Sequence, residues 1–226
     1  MIANFERIKS FLEFQDKNDF YAVQIFQRRK DTGNEKMKMN VKRLKVFYIH
    51  SLQEFDELQN RIIDICKANN ARAYIRLHRL NKINVSLSAI SEISKRISEN
   101  LNERKEGNLY RIQKVYDDVI GRLGGTPLFR TLIDIDKEHI ENYHKDTGLV
   151  EDMKISIKNH LLQDRKLNEN EFEITENLTN SGVHILISVG FDKRILNDFQ
   201  DYFVQKGMPK VQIQKDINTL LYYPGK

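Results

Sequence analysis

The chain is poor in cysteine and in long apolar runs, and each lack excludes a class of protein. Cys66 is the single cysteine among 226 residues, which excludes an intramolecular disulfide and a cysteine-based zinc site. No apolar run approaches the roughly 20 residues that a membrane-spanning helix needs, and the N-terminal residues 1–9 lack the apolar stretch of a secretory signal. We therefore expect a cytoplasmic protein in a reducing compartment, without a membrane partner.

Proline is also scarce, with three residues in the whole chain, and no proline-rich or serine-rich linker interrupts it. A chain of this length can form one large domain or two small ones. The strongest break in the pattern is the turn-forming run at residues 124–127, Gly-Gly-Thr-Pro. We predict a single domain over residues 1–226 with two lobes, approximately 1–124 and 125–226.

Apolar spacing along the chain predicts strands and helices in alternation. Strands are expected at 20–27, 43–49, 71–79, 129–136, 171–176, 183–189, 210–214 and 218–223, and helices at 3–15, 51–67, 86–102, 109–123, 137–145, 149–163 and 192–204. The first two strands should form a hairpin with a basic tip. This mixture indicates an α/β or α+β fold, with mixed sheets and flanking helices.

Positive charge is concentrated in one segment, between Arg28 and Lys45. Eight basic residues oppose two acidic ones there, a net charge of +6, whereas the whole chain carries +5. The rest of the chain is therefore close to neutral. A basic patch of this kind favours a polyanionic partner.

Asp134 and Asp136 end an apolar run that reads as a strand, Phe-Arg-Thr-Leu-Ile-Asp-Ile-Asp over residues 129–136. Residues two apart in a strand point to the same face, and two neighbouring carboxylates repel unless a positive charge lies between them. Hard divalent cations such as Mg²⁺ or Mn²⁺ prefer oxygen ligands. The pair therefore predicts a metal site, although many Asp-x-Asp sequences are solvated loop residues.

Two further motifs follow downstream. Ser181 and Gly182 belong to a polar turn that leads into an apolar strand beginning near His184. Turn amides can form an anion-binding concavity, so phosphate is the natural ligand, while an ordinary turn before a strand remains the alternative. Asp216 falls in a short turn between two predicted strands, where aspartate is also common without any functional role.

In this order, the three motifs resemble the catalytic core of the archaeo-eukaryotic primase superfamily, which includes the primase-polymerases of phages and plasmids. Asp134 and Asp136 match the acidic pair of that family, Ser181 and His184 match its serine/histidine motif, and Asp216 matches its third acidic residue. The match spans roughly residues 125–224. It implies a catalytic core built around an RRM-like sheet, with an N-terminal α/β lobe.

The resemblance implies a nucleotidyltransferase that acts as a DNA primase or primase-polymerase in replication. Two divalent ions, Mg²⁺ or Mn²⁺, would be held by Asp134, Asp136 and Asp216 about 3.5–4 Å apart, with no zinc. Nucleoside triphosphates would be the substrates. A single-stranded DNA or RNA template would be the polymeric partner, with a replicative helicase as a further partner in trans.

Other residues receive roles by the same resemblance. His184 and the backbone near Gly182 would grip the triphosphate, together with Lys193 and Arg194, for which a solvated helix start is the alternative. The template would contact basic and aromatic residues of the first lobe, namely Arg28, Arg29, Lys30, Lys42, Arg43, Arg72, Tyr74, Arg76 and Arg79. The alternative for Arg72, Tyr74 and Arg76 is that their side chains simply line the solvent-exposed face of a sheet.

Two other functions are compatible with these residues. A non-catalytic nucleic-acid-binding protein with a degenerate primase fold would need only the basic segment. A metal-dependent nuclease would use the same paired carboxylates, because both chemistries transfer a phosphoryl group.

Overall fold

The computed structural model describes residues 1–33, 39–103, 114–122, 130–146, 148–190, 193–214 and 218–225. It is a mixed α+β protein with two sheets and flanking helices, which confirms the predicted class. The described strand pairs are all antiparallel, so these sheets are not mixed, in contrast to the prediction. Within these residues, no helix combines the length and the apolar character that a bilayer crossing requires.

The larger sheet has six strands, in the order β1-β10-β4-β2-β3, with β5 paired to β2. Its strands are β1 (Ile2–Ala3), β2 (Asp19–Arg28), β3 (Val41–Ile49), β4 (Arg72–Arg76), β5 (Leu80–Asn81) and β10 (Asn218–Tyr223). Strands β2 and β3 pair antiparallel from Tyr21 to Arg28 of β2, with a register shift after Ile25. The predicted hairpin is therefore confirmed, although residues 34–38 of its basic tip lie outside the described residues.

Helices cover the two faces of the larger sheet. The helices of this half are α1 (Phe5–Lys9), α2 (Arg29–Thr32), α3 (Leu52–Asn69), α4 (Lys82–Glu103) and α5 (Val115–Arg122). Apolar residues of α1 and α3 join the odd-numbered residues Val23 and Ile25 of β2 in one core. Residues of α4 and α5 pack against the opposite face, at Phe20 and Ala22. The sheet is thus buried on both sides near its centre.

Helix α3 begins where the sequence predicts. The Ser51 side chain accepts a hydrogen bond from the backbone N–H of Glu54 at 3.1 Å, which satisfies one of the unpaired amides at a helix start. The Glu54 carboxylate in turn accepts from the N–H of His50 at 2.7 Å. Helix α1 is shorter than predicted and ends at Lys9, yet the apolar residues beyond it, Phe11 and Leu12, are buried in the same core.

The smaller sheet has four strands, in the order β7-β8-β6-β9. The elements of this half are β6 (Thr131–Asp136), α6 (Lys137–Glu141), α7 (Leu149–Asn159), a π-helical turn (His160–Asp164), a 3₁₀ turn (Glu169–Glu171), β7 (Ile174–Leu178), β8 (Gly182–Ile187), α8 (Lys193–Gln205) and β9 (Gln212–Gln214). The connection is β-α-β-β-α-β. All pairs are antiparallel, and the first strand, β6, is one of the two central strands.

Alternation along β6 divides its residues between two cores. Ile133 and Ile135 pack against α7 and α8, whereas Leu132 and its partner Leu186 belong to the core of the larger sheet. One face of the smaller sheet is therefore covered by its own helices, and the other faces the first lobe.

The C-terminal strand changes the predicted division into lobes. β10 pairs with β1 and β4 in the larger sheet, so residues 218–223 belong structurally to the first lobe. Strands β9 and β10, which the sequence places side by side along the chain, lie in different sheets and do not form a hairpin. The chain therefore connects the two lobes twice, once before β6 and once between β9 and β10.

Candidate active site at the junction of the two sheets

A row of polar side chains crosses the smaller sheet. Asp134 pairs with His184 on one side and with Gln212 on the other, while His184 pairs with Asn177 of the edge strand. Directly paired residues of antiparallel strands project from the same face. This row therefore lies on the face turned away from α7 and α8, towards the larger sheet.

Asp136 extends this row towards solvent. It pairs with Gly182, lies two residues beyond Asp134 on the same face, and is exposed at the point where α6 begins. The side chain of Asp134 is 25% exposed. The register thus places both carboxylates side by side at the end of β6, as the alternation predicts.

His184 joins the acidic residues to the larger sheet. Its Nε2 lies 3.4 Å from Oδ1 of Asp134, and its Nδ1 lies 3.0 Å from Oγ1 of Thr219 in β10. The ring is 13% exposed. It therefore contacts a carboxylate on one side and a buried hydroxyl on the other.

The turn before β8 is fixed by a close backbone approach. A Cβ placed on Gly182 would lie 1.9 Å from the carbonyl oxygen of Ile135, so only glycine fits there. The Lys137 N–H also donates to the Ser181 carbonyl at 2.7 Å. The Ser181 side chain is exposed at the tip, next to the start of α6. Both residues therefore lie beside Asp136.

Three of the predicted site residues fall outside what the structure describes. Asp216 lies outside the described residues, and so do the side chains of Lys193 and Arg194, although both begin helix α8. Two described residues, one on each side of Asp216 in the chain, do belong to the site region. Gln212 pairs with Asp134, and Thr219 contacts His184.

Asp134 and Asp136 are the candidate metal ligands among the described residues. In the described part of the chain, no group of three or more His, Cys, Asp or Glu residues could hold a metal ion. Asp134 and Asp136 nevertheless supply hard oxygen donors on one face, and one of them is exposed. Mg²⁺ typically takes one or two carboxylates, with water and substrate phosphates as its other ligands. The two carboxylates fit an ion of that kind.

The basic hairpin presents a second surface, on the larger sheet. Arg29, Lys30 and Lys42 are exposed, and Arg28 is half-buried with Nη1 3.4 Å from the Tyr74 hydroxyl. Two shallow cavities of about 560 and 770 Å³ flank these residues. The hairpin residues therefore present positive charge beside an aromatic ring, as the sequence predicts.

Aromatic and acidic side chains complete that surface. The Phe26 ring lies 6.1 Å from the Tyr74 ring, centroid to centroid. Arg43 differs from its neighbours, because it forms an ion pair with Asp117 at 3.0 Å. Tyr48 also donates to that carboxylate, and burial together with this bond raises the pKa of the Tyr48 hydroxyl well above its ordinary value. Arg43 thus contributes less free charge than the sequence suggests.

Three arginines expected to face the template are buried instead. Arg72 donates two hydrogen bonds to Asp31, at 2.5 and 2.6 Å, and stacks over the Tyr223 ring. Arg79 pairs with Asp19 at 3.1 Å, and Arg76 donates to the carbonyl of a helix α5 residue. Each is at most 9% exposed. Helices α2 and α5 cover Arg72 and Arg76, and the three arginines form neither a template face nor a solvent-exposed face, whereas Tyr74 between Arg72 and Arg76 remains partly exposed.

Asn177 and Thr219 are site residues that sequence reasoning missed. Both side chains are fully buried, and the Asn177 amide donates to the Thr219 hydroxyl at 2.5 Å. Asparagine is depleted in strands, so Asn177 in β7 could have drawn attention. Its partner could not have been found, because Thr219 lies in the other sheet.

Comparisons with protein-family models, with curated proteins and with solved structures found no match to this chain. Its function is therefore inferred from the arrangement of its side chains.

Proposed function

We propose that the protein is a metal-dependent nucleotidyltransferase of the primase-polymerase kind, which adds nucleotides to a nucleic acid strand on a template. One observation carries the proposal. The register of β6 and β8 brings Asp134, Asp136 and His184 together at the junction of the two sheets. An acidic pair beside a phosphate-binding group is what nucleotidyl transfer requires.

The topology of the smaller sheet also supports the proposal. A β-α-β-β-α-β connection with the first strand in the centre is the ferredoxin-like arrangement, which RRM domains share. An RRM-like sheet is what the resemblance to the primase superfamily implies. In this protein the face that carries Asp134 is turned towards a second, larger sheet, and Asp136 is exposed at the end of β6.

The residues receive the following roles. Asp134 and Asp136 would hold Mg²⁺ or Mn²⁺, with Asp216 as a third candidate ligand. The bound ion supplies charge neutralisation of the triphosphate and activation of the attacking hydroxyl. His184 would donate from Nε2 to a phosphate oxygen. The backbone at Gly182, with Ser181, Lys193 and Arg194, would contact the β- and γ-phosphates.

The reaction that these residues would support is a displacement at phosphorus. The 3′-hydroxyl of the growing strand attacks the α-phosphorus of a nucleoside triphosphate and loses its proton to solvent. A new O3′–Pα bond forms, the bond from Pα to the β-phosphate oxygen breaks, and pyrophosphate leaves. The side chains of this site position and neutralise the phosphates, which is the main contribution of proteins to phosphoryl transfer.

The nucleic acid strand would bind along the basic hairpin. Exposed Arg29, Lys30 and Lys42 would contact phosphates, and such contacts are independent of sequence and sensitive to salt. Tyr74 and Phe26 would provide rings on which bases stack, as in other single-strand binders. Arg72, Arg76 and Arg79 are left out of this surface because they are buried and paired.

Nucleotide incorporation on a primed single-stranded template tests the proposal. We expect extension of the primer with Mn²⁺ or Mg²⁺, and a loss of at least about a hundredfold in the Asp134→Asn/Asp136→Asn variant, since electrostatic groups of this kind contribute about 10²–10³-fold to rates. Asp146→Asn, a change at an exposed aspartate outside the site, is the matched control. Full activity in the double variant would overturn the metal assignment.

The same assay separates the two alternative functions. Release of nucleotides from labelled DNA without any need for triphosphates would indicate a nuclease. Salt-sensitive binding with no incorporation under any metal condition would indicate a binding protein, for which the exposed basic hairpin is the supporting observation.

A further inference from the structure

A buried hydrogen-bond chain lies behind the imidazole of His184. The Asn177 side chain is on β7 of the smaller sheet, and Thr219 is on β10 of the larger sheet. Both are fully buried. The Asn177 Nδ2 donates to Oγ1 of Thr219 at 2.5 Å and to the backbone carbonyl of Leu220 at 2.8 Å. Oγ1 of Thr219 is in turn 3.0 Å from Nδ1 of His184.

The direction of each hydrogen bond follows from what each atom can do. The Leu220 carbonyl can only accept, so the Asn177 atom that faces it must be the nitrogen, because the opposite orientation would set two oxygens against each other. The same nitrogen therefore donates to Oγ1 of Thr219. The single hydroxyl hydrogen of Thr219 can then be donated to His184 Nδ1, the other side-chain atom at hydrogen-bond distance among the described residues.

The direction of that last bond decides which nitrogen of His184 carries the proton. If Nδ1 accepts from Thr219, the neutral ring must carry its hydrogen on Nε2. Nε2 is the atom 3.4 Å from Asp134. The ring thus presents a donor to the acidic pair and to whatever anion binds beside it.

We propose that Asn177 and Thr219 are positioning residues, which hold His184 so that Nε2–H faces the phosphate site. The role of His184 in phosphate binding rests on the proposed function, whereas the hydrogen-bond arrangement does not. Because Thr219 belongs to the larger sheet, the orientation of His184 depends on the docking of the two sheets. A change that separates the two sheets would release the imidazole of His184 without altering Asp134 or Asp136.

Substitutions at Thr219 test the proposal. Thr219→Val keeps the shape of the side chain and removes the hydroxyl, whereas Thr219→Ser keeps the hydroxyl. We expect Thr219→Val to lower kcat/KM for nucleotide incorporation by about ten- to a hundredfold, the range caused by small misplacements of catalytic groups, and Thr219→Ser to restore most of it. Asn177→Leu should act in the same direction as Thr219→Val.

A spectroscopic measurement separates positioning from general stability. Long-range ¹H–¹⁵N spectra of protein labelled at histidine report which ring nitrogen carries the proton, and the signal of His184 is identified by its loss in His184→Gln. We expect the Nε2–H form in the wild type and in Thr219→Ser, and loss of that preference in Thr219→Val. A wild-type ring protonated on Nδ1, or a spectrum unchanged in Thr219→Val, would overturn the inference. If the wild-type protein incorporates no nucleotide, the proposed function fails, yet the spectra still decide on the positioning.

Discussion

At the scale of single residues, the buried arginines show how the same side chain can serve binding or structure. Arg72 lies in a strand whose alternation suggests an exposed basic face, but a short helix after β2 brings Asp31 against it. The side chains of Arg72 and Asp31 are 5% and 4% exposed. A charge so far from water requires a partner, and here the partner comes from 41 residues away. The sequence cannot reveal such a pairing.

Removal of this partner should destabilise the protein strongly. Loss of one member of a buried ion pair costs about 3–5 kcal/mol, so we expect Asp31→Ala to lower the free energy of unfolding by that amount in urea denaturation. Asp56→Ala is the control, because the pair that Asp56 forms with Lys9 is exposed and exposed pairs contribute little to stability. Equal effects of the two substitutions would show that the Arg72–Asp31 pair does not stabilise the core.

Cys66 gives a second prediction at this scale. Burial raises the pKa of its thiol to about 12, and only the thiolate is a good nucleophile. Because the pKa is raised, the protonated form persists throughout the neutral range. We expect negligible reaction with a thiol reagent at pH 8 in the native protein and rapid reaction in denaturant. Fast native labelling would mean that Cys66 is not buried.

At the scale of elements, local sequence predicted most of the strands and helices. Runs rich in apolar, aromatic and β-branched residues located β2, β3, β6 and β10, because such residues favour strands. Alternation also predicted that Asp134 and Asp136 share a face. It could not predict that β9 and β10 join different sheets, because the residues of a turn are of the same types whether the turn closes a hairpin or connects two sheets. The partners of each strand are decided by long-range packing.

The β6–β8 pair offers a test of the site's construction. The close approach of Gly182 to Ile135 leaves no space for a methyl group, and overpacking of this kind costs about 1–3 kcal/mol. We expect Gly182→Ala to lower the melting temperature and to reduce nucleotide incorporation, because it moves the strand that carries His184 away from Asp136. Ser181→Ala, at the exposed neighbouring position, should leave the melting temperature unchanged. A Gly182→Ala variant as stable as the wild type would contradict the close approach of Gly182 to the Ile135 carbonyl.

At the scale of the whole molecule, two sheets from two lobes meet at a shared polar row. Asn4 strengthens this junction, since its amide donates to the carbonyls of Leu178 in β7 and Leu220 in β10. The sequence predicted two lobes but placed their boundary at a loop. The chain in fact crosses back with β10, so the position of His184 depends on both lobes. This dependence arises from topology, which short motifs do not encode.

Charge at this scale predicts how the molecule binds nucleic acid. Each phosphate contact with a single strand contributes about 0.7 to the slope of log K against log salt concentration. We expect Arg29→Ala/Lys42→Ala to weaken single-stranded DNA binding and to reduce that slope, as measured by fluorescence anisotropy at several salt concentrations. Lys67→Ala/Lys158→Ala removes the same charge elsewhere on the surface and is the control. Equal losses in the two variants would mean that net charge, and not the hairpin, determines binding.

The most direct test of the account is the position of metal and nucleotide in crystals grown with Mn²⁺ and a non-hydrolysable nucleoside triphosphate. Anomalous diffraction locates Mn²⁺ independently of any assumption about its ligands. We expect Mn²⁺ to be coordinated by carboxylate oxygens of Asp134 and Asp136, with a phosphate oxygen within hydrogen-bond distance of Nε2 of His184. Mn²⁺ and triphosphate bound elsewhere, with neither carboxylate in contact, would contradict this expectation.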